Sequence, residues 1–160
     1  MYHLWIDPGI RKLWYAIIDE NKNIIDAWAL VDELKDVDLR KWNIRRLKNI
    51  VDFFVELLDK YEIESSCIEK IYFTKYNQSN AEYVYGVRWA LIYLLTKKWV
   101  KIKELGPTEI KKYITGNGKA WKTMMQTAIK RLFWLKKLPE PHDIADSLWM
   151  AWISLISNKR

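Results

Sequence analysis

Glycine is scarce in this chain. An average usage of about 7% would place roughly eleven in a sequence of this length, whereas the 160 residues contain five. Proline occurs four times, and Cys67 is the only cysteine. A lone cysteine excludes an internal disulfide and, with it, the disulfide-stapled secreted class. Next to Ile68 it reads as an inert buried thiol. No apolar run approaches the ~20 residues of a membrane span. The first residues include Asp7 and lack the long apolar region of a signal peptide. These absences predict a cytoplasmic protein with no membrane partner. No repeat, linker or low-complexity segment interrupts residues 1–160, which are expected to form a single domain with a real core.

Tryptophan and positive charge are abundant instead. Ten tryptophans are present, and the net charge of +7 is uneven. Lys97 through Lys137 holds twelve Lys or Arg against Glu104 and Glu109, a local +10 that leaves −3 for the remainder. Such asymmetry points to a polyanionic partner.

His3–Gly9, HLWIDPG, reads as a short strand with an abrupt end. Leu4 and Ile6 alternate with His3 and Trp5. Pro8 lacks the N–H needed to continue a ladder, and Gly9 permits a turn. Asp7 is therefore the last strand residue, its carboxylate held on a rigid element. Lys12–Asp19 and Ile24–Val31 follow as strands, completing an antiparallel meander. Leu39–Glu62 has helical spacing, with Ile44, Leu47, Val51, Phe54, Val55 and Leu58 expected on the buried stripe. Ser66–Phe73 is expected to be a buried strand with Glu69 in its middle, parallel to the first strand across the helical crossover. Ala81–Leu95 is a helix, nearly apolar all round from Trp89, that is buried or at a subunit interface. A strand over Val100–Leu105, helices over Pro107–Tyr113 and Ala120–Leu135, and a terminal helix over Asp143–Ser157 complete an α/β chain.

Four carboxylates stand out. Asp7 ends a strand, Glu69 interrupts an apolar one, and Asp143 and Asp146 share a helix face at i and i+3. A charge inside an apolar strand is costly unless paired or metal-bound. Carboxylates converging from three elements would repel one another unless divalent cations intervened, and hard oxygen ligands suit Mg²⁺ or Mn²⁺. Asp143 also fits a helix N-cap, and Asp146 a first-turn acid matched to the helix dipole. His3 and His142 lack zinc-type spacing and read as core or solvated histidines.

IDPG at Ile6–Gly9, IEKIYF at Ile68–Phe73, GPTEIKKYITGNGKA at Gly106–Ala120 and DIADSL at Asp143–Leu148 occur in this order across roughly residues 2–157. Together they resemble the RuvC Holliday-junction resolvases of the RNase H-like superfamily. The resemblance implies a five-stranded mixed sheet, three antiparallel strands then two parallel ones, flanked by helices and acting as a homodimer. It implies that Asp7, Glu69, Asp143 and Asp146 are catalytic metal ligands, holding two Mg²⁺ per subunit with Mn²⁺ able to substitute. It places Lys111 and Lys122 near the scissile phosphate, with Lys112 and Lys119 as further DNA-backbone contacts. Tyr72 stands where the family usually has a phenylalanine that stacks on an unpaired base.

The chain departs from the family pattern at Trp5, Trp14, Trp28, Trp89, Trp99 and Trp134, where glycine is usual, and at Trp149, where a small residue is usual. Overpacking costs ~1–3 kcal/mol per core site. Six such sites could exhaust the ~5–15 kcal/mol stability of a domain. A coding sequence in which UGA means glycine, read with UGA as tryptophan, accounts for the glycine deficit and the tryptophan excess together. The rival reading keeps the tryptophans as stacking platforms among the lysines, as at Trp99, Trp121 and Trp134.

The expected function is crossover-junction endodeoxyribonuclease activity in DNA recombination and repair, making paired metal-dependent nicks in a four-way DNA junction, with a branch-migration helicase complex as a possible partner. The alternatives are a catalytically inactive junction-binding or single-strand-stacking protein, and an RNase H-like nuclease acting on RNA–DNA hybrids.

Overall fold

The computed structural model describes residues 1–32, 38–72 and 81–132. Strands β1 (Tyr2–Asp7), β2 (Lys12–Asp19) and β3 (Ile24–Val31) open the chain; β2 and β3 have the expected bounds, and β1 ends at Asp7 as expected but starts one residue before His3. Asp19 organises the β2–β3 turn. Its carboxylate accepts the backbone N–H groups of Asn21 at 2.9 Å and Asn23 at 2.8 Å. Helix α1 (Leu39–Lys60), β4 (Ile63–Glu69), α2 (Ala81–Lys97), β5 (Lys101–Leu105), α3 (Pro107–Thr115) and α4 (Lys122–Leu132) follow. Asp38 caps α1 by accepting the N–H groups of Arg40 and Lys41.

The five strands form one sheet in the order β3-β2-β1-β4-β5. β1 pairs antiparallel with β2, and β2 with β3; β1 and β4, like β4 and β5, are parallel. The period-2 alternation sends Leu4, Ile6, Leu13, Tyr15, Ile17 and Ile68 into one core with residues of α1 and α2. Trp5, Trp14, Ala16, Ile18, Cys67 and Leu105 point the other way, into a core shared with Ile110 of α3 and Met125 of α4. Among the described residues, no helix is long and apolar enough to cross a membrane.

Two sequence expectations are corrected. The strand predicted over Ser66–Phe73 begins at Ile63 and ends at Glu69. Glu69 is therefore its last residue, not a charge in its middle, and is only half-buried. The polar run Glu64-Ser65-Ser66 concealed the strand's beginning. Ser65 is buried there because its hydroxyl meets Nδ1 of His3 at 2.8 Å. The second correction concerns α1, whose buried stripe is rotated: Ile44 and Val55 are exposed, while Trp42, Arg46, Ile50, Phe54 and Leu57 turn inward. Arg46 can lie inside because its Nε is 3.5 Å from the Asp32 carboxylate and it donates to the Asp32 carbonyl at 3.2 Å. Helix bounds shift slightly, with α1 ending at Lys60 and α3 continuing to Thr115. The expected helix over Asp143–Ser157 lies outside the described residues.

Candidate active site

The site begins with how β1 ends. A Cβ on Gly9 would lie 2.0 Å from the Lys12 carbonyl oxygen, so only glycine lets the chain fold back into β2 at this spacing. That turn leaves Asp7 at the carboxyl end of β1. Ile6 pairs with Ile68 in the parallel β1–β4 ladder. Asp7 and Glu69 come next on these neighbouring strands, whose backbones run ~4.8 Å apart. Both follow the parity of Trp5 and Cys67 and so lie on the α3–α4 face of the sheet. Glu69 is in turn paired with Leu105 at the end of β5, and the Lys70 N–H donates to the Leu105 carbonyl at 2.8 Å. The carboxyl ends of parallel strands are where open α/β sheets bind ligands.

The structure thus brings together two of the four predicted carboxylates. Asp143 and Asp146, like His142, lie outside the described residues. Among the described residues there is no group of three or more His, Cys, Asp or Glu side chains able to hold a metal. The Asp7–Glu69 pair offers hard oxygen donors from two rigid strand ends, the donor chemistry that suits a small divalent cation. His3 is buried against Ser65 and belongs to the core. Cys67, one pleat below Glu69, is fully buried, and burial pushes its thiol up to about 12, with the Glu69 and Glu109 charges adding and Lys103 opposing. It is the unreactive thiol the sequence suggested.

Trp5 shares the Asp7 face but is buried one pleat inward, among small neighbours such as Ala16 and Ala120. It forms part of the floor beneath the carboxylates. Its indole N–H has no hydrogen-bond partner among the described residues.

The basic and aromatic residues flank this pair. Tyr72, 64% exposed, lies over Gly106: a Cβ there would sit 3.0 Å from the tyrosine hydroxyl and 3.2 Å from the ring edge. Gly106 also opens α3, with its N–H donating to the Glu109 carboxylate at 2.8 Å and Pro107 in the first turn. Along α3, Lys111 is half-buried and Lys112 exposed. Gly116, at φ +74°, stops the helix in the left-handed conformation. Lys119 is exposed beyond it, its N–H donating to Asn117 Oδ1 at 2.9 Å. Lys122 is the first residue of α4, and its side chain lies outside the described set.

Sequence reasoning missed two neighbours. Lys103 shares the parity of Leu105 on β5 and reaches the Tyr113 hydroxyl at 3.3 Å, adding a cation to the carboxylate face. The period-2 spacing of Lys101, Lys103 and Leu105 was the available signal. Glu109 was counted only as an offset to the basic segment, yet its carboxylate holds the Gly106 backbone on which Tyr72 rests.

Comparison with known proteins gives a consistent pattern. The family model described as "Crossover junction endodeoxyribonuclease RuvC" matches residues 3–154. A RuvC of that description from Petrotoga mobilis is 33% identical over 154 residues, covering 95% of this chain and 91% of the relative. The corresponding protein of Thermotoga petrophila is 31% identical, with coverage of 98% and 93%. Among solved structures, Thermus thermophilus RuvC superposes with a TM-score of 0.81 at 20% identity, covering 99% of this chain and 96% of that one. The same protein in complex with Holliday junction substrate gives 0.80 at 18% identity, with the same coverage. At these identities the structural likeness establishes the fold.

Proposed function

Because the chain belongs to the RuvC family of crossover junction endodeoxyribonucleases, we propose that it resolves four-way DNA junctions by hydrolysing phosphodiester bonds in opposing strands. The observation that carries the reading is the placement of Asp7 and Glu69 on adjacent strand ends, with the lysine-bearing α3 starting beside them.

In this reading residues 1–160 act as one nuclease domain. Asp7 and Glu69 hold divalent metal, with Asp143 and Asp146 as the remaining ligands. Mg²⁺ is the ion proposed, two per subunit, with Mn²⁺ able to replace it. When bound, such ions activate water and stabilise the leaving oxygen. Lys111 and Lys122 neutralise charge on the phosphate under attack, and Lys112 and Lys119 bind backbone phosphates alongside. Tyr72 presents its exposed ring to an unpaired base, a contact that tolerates any sequence.

Paired nicks need two active sites, and we read the protein as a homodimer. Tyr85, Trp89 and Tyr93 support this. They stand four residues apart on α2 and remain exposed, while Leu91 and Leu95 fill the core. An aromatic stripe of this kind suits burial against a second copy. A cytoplasmic location and cooperation with a branch-migration helicase complete the proposal.

The test is incubation of a four-way junction with protein and Mg²⁺. Symmetric paired nicks that disappear in Asp7→Asn, with junction binding retained, support the assignment. Binding without cleavage in either Mg²⁺ or Mn²⁺ would indicate a junction-binding scaffold. Cleavage of RNA–DNA hybrids but not junctions would indicate a different nuclease.

A further inference from the structure

The basic segment from Lys97 to Lys137 hides a second concentration of cations elsewhere in the chain. Residues 39–51, the first half of α1, hold Arg40, Lys41, Arg45, Arg46 and Lys48 and no carboxylate. A helix N-terminus carries the positive end of the macrodipole, so cations there oppose local stability. Asp38, Asp52 and Asp32 pair with Lys41, Lys48 and Arg46, which leaves Arg40 and Arg45 without an ion-pair partner among the described residues.

The tertiary structure gives these charges a shape. β3 runs parallel to β1, since each is antiparallel to β2, and both end at the same edge of the sheet. The β1–β2 turn at that edge carries Arg11, four residues beyond Asp7. The Asp32 N–H, just after β3, donates to the Arg11 carbonyl at 3.1 Å. Between this corner and α1 lies an open recess of about 560 Å³. Arg46 forms its fixed floor, tied to Asp32, donating to Asn43 Oδ1 at 3.2 Å and lying 4.9 Å over the Trp42 ring. Arg11 and Arg45 stand exposed at its mouth with Asn49, and Ile10 and Leu30 supply an apolar wall. Among the described residues, three guanidinium groups and one carboxylate therefore line the recess. Among the described residues, neither Arg11 nor Arg45 has an ion-pair partner.

We propose that this recess is a second phosphate site: Arg11 and Arg45 bind a DNA backbone phosphate on the α1 side of the edge that carries Asp7, opposite the lysines of α3. The guanidinium fork matches phosphate oxygens in pairs. The apolar wall accommodates the adjoining sugar. The inference rests on the junction-nuclease reading and extends its DNA footprint across the β1–β2 turn.

The experiment compares the full-length wild type with Arg11→Ala/Arg45→Ala and with Lys98→Ala. Lys98 pairs with Asp59 at the opposite end of α1 and serves as a control for general charge loss. Junction binding is measured without divalent metal, as a function of salt. Each phosphate contact contributes about 0.9 to the slope of log affinity against log salt. The double variant should lower that slope by about 0.9, the loss of one phosphate contact, and weaken binding at least tenfold, with the melting temperature unchanged; Lys98→Ala should do neither. A slope equal to that of Lys98→Ala overturns the proposal. So does millimolar inorganic phosphate stabilising the wild type and not the double variant while the DNA slope is unaltered, because the recess then takes only a free anion. Cleavage is scored separately. A wild type that cuts junctions, with an unaltered slope in the double variant, removes only the phosphate site. A wild type that shows the slope difference and cuts nothing removes only the nuclease assignment.

Discussion

Replacing Trp99 by glycine should stabilise the protein. α2 ends at Lys97, and the backbone then closes a Schellman turn: the Trp99 N–H donates to the Thr96 carbonyl at 3.0 Å and the Val100 N–H to the Leu95 carbonyl at 3.0 Å. This geometry sets Trp99 at φ +59°, a left-handed conformation that costs an L-residue ~1–2 kcal/mol. The indole contributes almost no burial in return, being 93% exposed. Glycine removes the steric cost and keeps both hydrogen bonds, but it loosens the unfolded chain by ~0.4–1 kcal/mol. The balance is a gain of about 0.5–1 kcal/mol. For a chain of this size that raises the melting temperature by about 1–4 °C. Trp99→Ala is the control, because alanine keeps the left-handed strain and should gain little. Thermal melts at fixed concentration decide the matter: a lower melting temperature for Trp99→Gly would refute the cap argument. The position also bears on the coding DNA. A UGA codon at residue 99 is what a glycine-decoding genome would carry there, whereas UGG at all ten tryptophan positions would end that explanation.

Gly9→Ala should be far more harmful, since its Cβ must displace the Lys12 carbonyl from a 2.0 Å approach; about 2–3 kcal/mol of stability and most cleavage activity should be lost as Asp7 moves, and an active variant with an unchanged melting temperature would contradict this. Above pH 9 the fold should weaken. Burial raises the Cys67 thiol to about 12, and burial together with the Asp26 carboxylate raises the Tyr15 hydroxyl. Both groups are held neutral in the folded state, so their contribution is complete below their unfolded pKa values and is lost as pH climbs through the folded ones. Denaturant titrations from pH 8 to 11 measure the decline, and rapid labelling of native Cys67 by a disulfide reagent at pH 8 would argue against it. Glu104→Ala leaves the buried Arg88 guanidinium without its partner. Because Glu104 is partly solvated, the expected cost is about 2 kcal/mol, largely recovered in Glu104→Ala/Arg88→Met; equal destabilisation in the single and double variants would show that the ion pair is not the cause.

Much of this was legible in residues alone, because the relevant physics is local. Strand alternation, a proline that cannot extend a ladder and a glycine that must turn located β1, β2, β3 and the terminal position of Asp7. Motif order likewise anticipated the mixed sheet. Three-dimensional contacts decided the rest. Glu69 reads as a charge within a strand until the polar Ser65 and Ser66 prove to be interior, Ser65 through its bond to His3 across the β1–β4 ladder. Arg46 is no part of the apolar stripe that spacing marks on α1, yet the bond to Asp32, fourteen residues earlier, holds it inward while Ile44 lies outward. The crossover rule placed the Glu69 strand beside β1, but no spacing rule encodes the register that levels Asp7 with Glu69 or the meeting of Arg11 with Arg45. Each depends on the order in which distant strands join one sheet, and that order is set by burying both faces of the whole sheet at once.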